Sequence, residues 1–521
     1  MKRLLCVLAV LLLLAVPALA EENMAESREK AGANDNHRVF YEIFVGSFSD
    51  SDGDGIGDLR GIINRMDYLN DGDPSSGKSL GIEGIWLTPV FLSPSYHKYD
   101  VTDYYQIDPA FGTMEDLREL IALCHERDVK LILDLVLNHT GRENRWYLRF
   151  LEAHRENRTA DRYYDYYTWY PGETLPAAGR FMQENGEMSV EANFSDQMPE
   201  LNYDNPLVRR SMLQIGQYYL KMGVDGFRFD AAKYLYLNDH AKNAAFWDWY
   251  VGELKKINPE VYTVAEVWDS EGVINQYEGS LNCFRFSAGQ AEGLLANTAK
   301  GGNVNRFTAD TQRYLDELHR IRPDAMNIFF LSNHDTDRAA GYLTVASWRM
   351  QMAANLYILS PGSPFIYYGE EIGLRGSRGA SDTDANRRLA MVWGDGDTVK
   401  DPAGSDYENQ TPYSVLDLDN MDGSILQYYR RLIALRKANP EIARGTYTAL
   451  SFPESKAGGF LCEWNGSVVG VFHNTTNSAK ELDLSQATDI TFSEITWIGK
   501  KEASLEGNIL TLGAQTSAIL R

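Results

Sequence analysis

The chain has 521 residues, with 50 Lys and Arg against 73 Asp and Glu and a formal net charge of −23. That balance argues against nucleic acid and anionic lipid as partners and suits a neutral or cationic ligand. The length is too great for one simple core and fits one large domain with additions.

The N-terminus opens with Met1-Lys2-Arg3, an apolar run from Leu4 to Val16, then Pro17-Ala18-Leu19-Ala20. A basic end, a short apolar core and an Ala-x-Ala ending describe a secretory signal peptide, so residues 1–20 are expected to be removed and the protein exported. The run is too short for a comfortable membrane span, and no later stretch is long and apolar enough to cross a bilayer. Cys6 lies too early in the run to carry a lipid anchor. Cys124, Cys283 and Cys462 then remain, far apart and odd in number, which predicts three buried thiols and no disulfide framework. Residues 21–36 read as a polar leader, and a soluble monomer is expected.

Arg38 to Phe48 reads as a first buried strand. The next stretch, SDSDGDGIGDLRGI, alternates Asp50, Asp52, Asp54 and Asp58 with glycines. Hard cations want several oxygens from a tight glycine-rich turn, and Ile56 is placed to add a carbonyl. An EF-hand would carry Glu where Gly61 stands, so the pattern predicts a calcium loop of another type. A helix follows from Asp58 to Leu69, a second strand from Ile82 to Leu87, and a polar aromatic loop from Ser95 to Thr113. Thr113 with Asp116 forms a capping-box pattern for a helix to about Arg127. A third strand, Lys130 to Val136, delivers Asp134, Asn138 and His139 at its C-terminal end.

From His139 to Leu201 the rhythm breaks into a long polar, aromatic insertion. Asn205-Pro206 restarts a helix, with apolar residues stepping by four and three to Met222. Gly223 ends it before the strand GFRFD. Helices are then predicted at His240–Ile257, Arg306–Ile321 and Ser347–Leu359. Strands are predicted at Val261–Val267, near Phe284, at Asn327–Leu331 and at Pro364–Tyr368. A last helix covers Ile425–Ala438, and from Gly445 onward short alternating strands suggest a small all-β domain. Eight strands, each followed by a helix, predict an α/β protein with a (β/α)8 TIM barrel. Its expected parts are 37–139 and 202–440, with an inserted subdomain at 140–201 after strand 3 and a C-terminal β-sandwich at 441–521.

The chemistry converges on one end of that barrel. Side chains alternate along a strand, so Arg228 and Asp230 share a face while Phe227 and Phe229 point away. A fixed Arg two residues before an Asp can keep that carboxylate ionised and aimed, as a nucleophile requires. A structural Arg–Asp pair would look the same in isolation. However, His139, Asp230, Glu266 and His334-Asp335 all fall at the C-terminal ends of strands, where barrel active sites lie. Three carboxylates with an Arg and two His suggest glycoside hydrolysis: one carboxylate attacks the anomeric carbon, and a second, with raised pKa, protonates the leaving oxygen. No HExxH pattern supports a metal hydrolase.

These motifs resemble the α-amylase family, glycoside hydrolase family 13, along nearly the whole chain from residue 38. DLVLNH, GFRFDAAKY, AEVW and LSNHD are similar, in order, to four family motifs, and GIWLTP and GSPFIYYGEE to two more. The resemblance implies a nucleophile at Asp230, a general acid at Glu266 and a transition-state stabiliser at Asp335. It also implies substrate contacts from Tyr99, His139, Arg228, Lys233, His334, Asp384 and Arg388. MPELN (198–202) resembles the group intermediate between oligo-1,6-glucosidases and neopullulanases. Ala231 departs from the Val associated with α-1,6 bonds and points to α-1,4 cleavage of starch and malto-oligosaccharides. Lys233-Tyr234 departs from the Lys-His pair that often serves a calcium site beside the inserted subdomain, so calcium is assigned only to Asp50, Asp52, Asp54, Ile56 and Asp58. The alternatives are an exo-acting α-glucosidase, an oligo-1,6-glucosidase, a 4-α-glucanotransferase or a non-catalytic glycan-binding member.

Overall fold

The computed structural model describes residues 36–521 apart from 173–174, 185, 187, 345–347 and 409. The expected signal peptide, and all of the leader but Asn36, lie outside the described residues.

Seven short strands form one parallel sheet: β1 (Phe40–Ile43), β2 (Gly84–Leu87), β3 (Lys130–Leu135), β4 (Gly226–Phe229), β5 (Tyr262–Ala265), β6 (Asn282–Cys283) and β7 (Phe365–Tyr367). Their order is β6-β5-β4-β3-β2-β1-β7. Between β6 and β7 runs the segment 327–331, joined to its neighbours by two parallel bridges, Phe284 to Ile328 and Phe330 to Phe365. This segment completes the curled sheet as the missing stave, so the (β/α)8 architecture expected from sequence is the one observed. The stave itself is less regular than the apolar run Asn327–Leu331 suggests, because its contacts are isolated bridges and not a ladder.

The side chains of these short strands pack the barrel interior. An aromatic cluster that includes Phe40, Trp86, Tyr262, Phe284 and Phe365 occupies the interior. Phe40 and Phe365 stack with ring centroids 4.7 Å apart. Rings of this size bury large apolar areas but need space. Glycine supplies it: a Cβ on Gly84 would come within 2.4 Å of the Phe40 ring. The outward residues of β4 behave as the alternation predicts, with Phe229 packed 4.6 Å from Trp247 of the surrounding helix His240–Lys255.

Local signals explain the helices. The Thr113–Asp116 capping box starts the helix Met114–Glu126. Asn205 caps the helix Pro206–Met222, which Gly223 ends in the left-handed conformation at φ 117°. The helix expected over 58–69 instead breaks at Arg65 into Leu59–Asn64 and Met66–Leu69. There the Arg65 guanidinium reaches across to Asp395 and Asp397.

Between β3 and Pro206 the insertion contains a helix, Arg145–Arg155, and an antiparallel sheet of Trp169–Pro171, Met188–Glu191 and Phe181–Glu184. In this helix Tyr147, Phe150 and Ala153 are buried, Trp146 and Leu151 pack partly buried against the core, and Leu148 is exposed. From Thr446 onward, a five-stranded and a three-stranded antiparallel sheet share one apolar layer that includes Phe472, Leu482, Leu510 and Leu520. Cys124, Cys283 and Cys462 are all free and buried. Among the described residues, no helix is long and apolar enough to cross a membrane.

Gly226 sets the spacing of the two strands that carry Arg228 and Glu266, since a Cβ there would stand 1.9 Å from the Tyr262 carbonyl oxygen. Gly226→Ala is expected to cost about 2–3 kcal/mol or more by overpacking. Chemical denaturation checks this; an unchanged midpoint would show that the strands can separate freely.

Candidate active site

Strand register brings the charged groups together. On adjacent parallel strands Asp134 is paired with Arg228, and Val264 on the other side. Arg228 is 1% exposed. Its Nη1 donates to both oxygens of Asp134 and to Oδ1 of Asp230, each at 2.8 Å, and its Nη2 donates to Glu266. Below, the guanidinium lies 5.1 Å from the Trp86 ring centroid, on the aromatic filling of the barrel. One cation thus holds three carboxylates by charge-assisted bonds.

A second cluster faces the first. His334 is fully buried; its Nδ1 contacts Glu42 at 2.6 Å, and its Nε2 lies 2.8 Å from Asp335 and 2.7 Å from the Tyr99 hydroxyl. Tyr99 also donates to Asp134 at 2.9 Å, which links the two clusters. Arg388 donates to Asp335 at 2.7 Å and to the His334 carbonyl at 3.1 Å.

The two clusters titrate differently. Burial pushes Glu266 up to about 7; Arg228 opposes the shift and Asp230 adds to it. Burial also raises Asp230, to about 6, with Arg228 opposing and Asp134 and Asp335 adding to the rise. The arginine expected to keep Asp230 ionised and aimed does contact it, but its guanidinium is divided among three carboxylates and burial prevails. Asp335 is also buried, yet His334 and Arg388 outweigh that and lower it. His334 rises to about 10: burial opposes its charge, but Asp335 and Glu42 prevail. At neutral pH, Asp335 is therefore ionised, Asp230 is largely ionised, and Glu266 is poised between its two forms.

These groups open onto a cavity of about 890 Å³ whose wall includes Tyr99, His139, Asp230, Glu266, Asp335, Asp384 and Arg388. Arg228 and His334 lie just behind the wall, bound to residues that form it. Lys233 is elsewhere: its ammonium is 2.7 Å from Asp269 and 2.8 Å from the Trp268 carbonyl. Asp384 is held by Arg378 and Arg387. His139 is buried, its Nε2 has no partner among the described residues, and burial lowers it to about 4. Ala231, directly after Asp230, takes a left-handed φ of 48°, an uncommon conformation for a residue with a Cβ. Its N–H points at Glu266, 3.4 Å away.

Glu42 was not singled out from sequence, and Asp134 was placed at the end of its strand without a role, although each anchors one cluster. The signal was present: each is a lone acid in an otherwise apolar buried strand, FYEIF and LILDLV. Tyr96, hydrogen-bonded to Arg388 at 3.0 Å, had no comparable signal in its loop.

Asp50, Asp52 and Asp58 bring carboxylate oxygens within 4.8 Å of one another; Asp54 stands outside that group. The Asp50 carboxylate accepts from the N–H groups of Asp52, Gly53 and Gly55 and from the Thr398 hydroxyl. Its slight burial disfavours the charge, but these bonds prevail and lower its pKa. An all-oxygen, ionised donor set in a tight turn fits a hard divalent cation.

The description "Alpha amylase, catalytic domain" matches residues 42–445. The protein belongs to the α-amylase family, glycoside hydrolase family 13. It is 33% identical to "Alpha-amylase 3" of Dictyoglomus thermophilum, over 93% of both chains. It is 29% identical to an oligo-1,6-glucosidase of Bacillus cereus, over 88% of this chain and 93% of that one. Among solved structures, Eubacterium rectale Amy13B superposes with a TM-score of 0.86 at 31% identity, covering 94% of this chain and 96% of that one. An α-amylase from H. orenii superposes at 0.82 and 35% identity, over 94% and 100%. The family fixes the broad activity, that of an enzyme acting on α-glucans.

Burial holds the Glu266 proton more tightly in the fold than in the unfolded chain. The group therefore contributes stability below its ordinary value of 4.5, and this is lost as pH rises through about 7. Glu266→Gln has no such proton to lose. Its melting temperature, followed by calorimetry, should gain on the parent's as pH rises from 4.5 to about 7. A difference that stays constant over that range would contradict the raised value.

Proposed function

We propose that the protein is an exported, retaining α-glucan hydrolase that cleaves α-1,4 bonds of starch and malto-oligosaccharides. One observation carries the reading: Asp230 and Glu266 hang from the same guanidinium at the wall of one cavity, with Glu266 holding its proton up to about 7. In the first step the Asp230 carboxylate attacks the anomeric carbon as Glu266 gives its proton to the departing glycosidic oxygen. This leaves a glycosyl ester on Asp230 and an ionised Glu266. In the second step Glu266 takes a proton from water, the hydroxide attacks the same carbon, and Asp230 is released. Asp335, kept ionised by His334 and Arg388, supplies negative charge towards the oxocarbenium-like sugar.

Tyr99 and His139 in the cavity wall, with Asp384 and Arg388 opposite, suit the ring and hydroxyls of the sugar being attacked. Trp268, 41% exposed and stacked 5.0 Å from Phe286, offers a flat apolar face beside Glu266. Ala231 after the nucleophile supports α-1,4 over α-1,6 specificity. The basic, apolar and Ala-x-Ala start supports export. Asp50, Asp52 and Asp58 are assigned to calcium, with Asp54 and the Ile56 carbonyl as candidate completing ligands. This loop lies apart from the carboxylates, so the ion's role is to brace the turn.

Asp230→Asn should retain the fold and lose turnover by on the order of 10⁴-fold or more, since the covalent route is closed. The parent should lower the viscosity of soluble starch quickly and release mixed short oligosaccharides. Glucose as the sole product, from maltose or isomaltose, would support an exo-glucosidase instead, and products longer than the substrate would support a transferase. Added calcium should raise the melting temperature of chelator-treated protein with a saturable concentration dependence. An Asp50→Asn variant should lose that response; an equal response would overturn the assignment.

A further inference from the structure

Beyond β2, the loop from Ser93 to Asp100 is held in a conformation that its backbone resists. Lys98 takes a left-handed φ of 64°, which a residue with a Cβ rarely adopts. The turn is fastened by charge and by hydroxyls. Lys98 is buried, with its ammonium 2.8 Å from Asp108 and 3.2 Å from the Ser93 carbonyl. The Asp100 carboxylate accepts from the hydroxyls of Ser93 and Ser95. Backbone strain so firmly held concentrates at places that bind or react. Here the reversal stands His97 beside Tyr99 in the wall of the active-site cavity, with ring centroids 6.0 Å apart.

The two nitrogens of His97 have different tasks. Nδ1 faces back into the loop, where it accepts the Tyr99 N–H at 3.2 Å and lies 3.0 Å from the Ser95 hydroxyl. A backbone N–H can only donate, so Nδ1 is the acceptor and the proton of the neutral ring sits on Nε2. The ring is neutral at neutral pH: burial lowers it to about 4, with Arg388 adding to the fall and Asp100 opposing it. Nε2 lies across the ring from the loop and has no partner among the described residues. It is a neutral N–H donor at the cavity wall with no task inside the chain.

Its place along the cavity is on the retained side of the bond to be cut. Glu266 protonates the departing oxygen, and Trp268 stands beside it. His97 stands instead against Tyr96, with ring centroids 5.3 Å apart, and the Tyr96 hydroxyl bonds Arg388. The charges that weigh most on His97 are those of Arg388, Asp100 and Asp335. The sugar under attack already has Tyr99, His139, Asp384 and Arg388 around it. A donor set one ring beyond Tyr99 is placed for the unit that follows. We propose that His97 selects for chain length: its Nε2–H donates to a hydroxyl of the glucose next to the attacked one on the non-reducing side, so that substrates with two or more retained units are preferred. This role rests on the hydrolase reading above and adds to it a residue that tells a chain from a single terminal sugar.

Nitrophenol release by the full-length mature protein tests this, with 4-nitrophenyl α-glucoside and 4-nitrophenyl α-maltoside as substrates. Both carry the same leaving group, so they differ only in the number of retained units. The parent should prefer the maltoside in kcat/KM. His97→Asn keeps an acceptor for the Tyr99 N–H but has no atom at the place of Nε2. It should cut the ratio of maltoside to glucoside kcat/KM about tenfold, mostly through KM, with the melting temperature unchanged. His97→Gln, whose amide nitrogen reaches the place of Nε2, should restore part of the ratio. A loss shared equally by both glycosides would mean that His97 only holds the loop, and would overturn the proposal, as would a ratio unmoved by His97→Asn in a parent that thins starch. A parent that does not thin starch would overturn the hydrolase reading and this role with it.

Discussion

The Arg228 guanidinium is the point from which the site is built. It is buried on aromatic rings and bonds Asp134, Asp230 and Glu266 at once. A charge so far from water needs opposite charge close by, and the three carboxylates supply it through both Nη groups, while Nε has no partner among the described residues. The converse matters more for reactivity. Because one positive charge serves three acids, none receives the full lowering that a private ion pair would give. Burial, opposed only by this shared cation, raises Asp230 and Glu266 alike above their ordinary values of 3.8 and 4.5, to about 6 and about 7, so the glutamate stays the more basic of the two. A nucleophile and an acid are thus drawn from two buried carboxylates that share one cation.

The opposite wall works by another rule. His334 is clamped between Glu42 and Asp335, so its positive charge is strongly held and in turn keeps Asp335 ionised. Tyr99 bridges this group to Asp134, so the two walls are tied through one phenol. The arrangement keeps a fixed negative group on one side and exchangeable protons on the other.

Much of this was legible in the chain because it depends on local rules. Alternation in GFRFD correctly separates the inward Arg228 and Asp230 from the outward phenylalanines, and the caps at Thr113 and Asn205 mark real helix starts. What escaped depends on distance. Arg65, where the helix breaks, finds its acidic partners more than three hundred residues away. Glu42 acquires its partner only when closure of the barrel brings the segment after residue 331 within reach of β1, across β7. Asp54 belongs to the alternating acidic pattern but not to the cluster that the turn assembles. The hydrogen bond of Lys233 to Asp269 likewise depends on how two loops meet above the strands.

The uneven closure of the barrel has its own consequence. Six strands and β7 are joined by continuous ladders or pairs, whereas the stave at 327–331 touches its neighbours through isolated bridges. The loop that bears His334 and Asp335 leaves from this least-stitched stave. Its position is therefore owed to side chains: Glu42 reaching from β1, and Arg388 reaching from the loop after β7. Local opening of the sheet should begin there and not at β4. The stabilising wall of the site is thus latched on, while the nucleophile's strand is woven in.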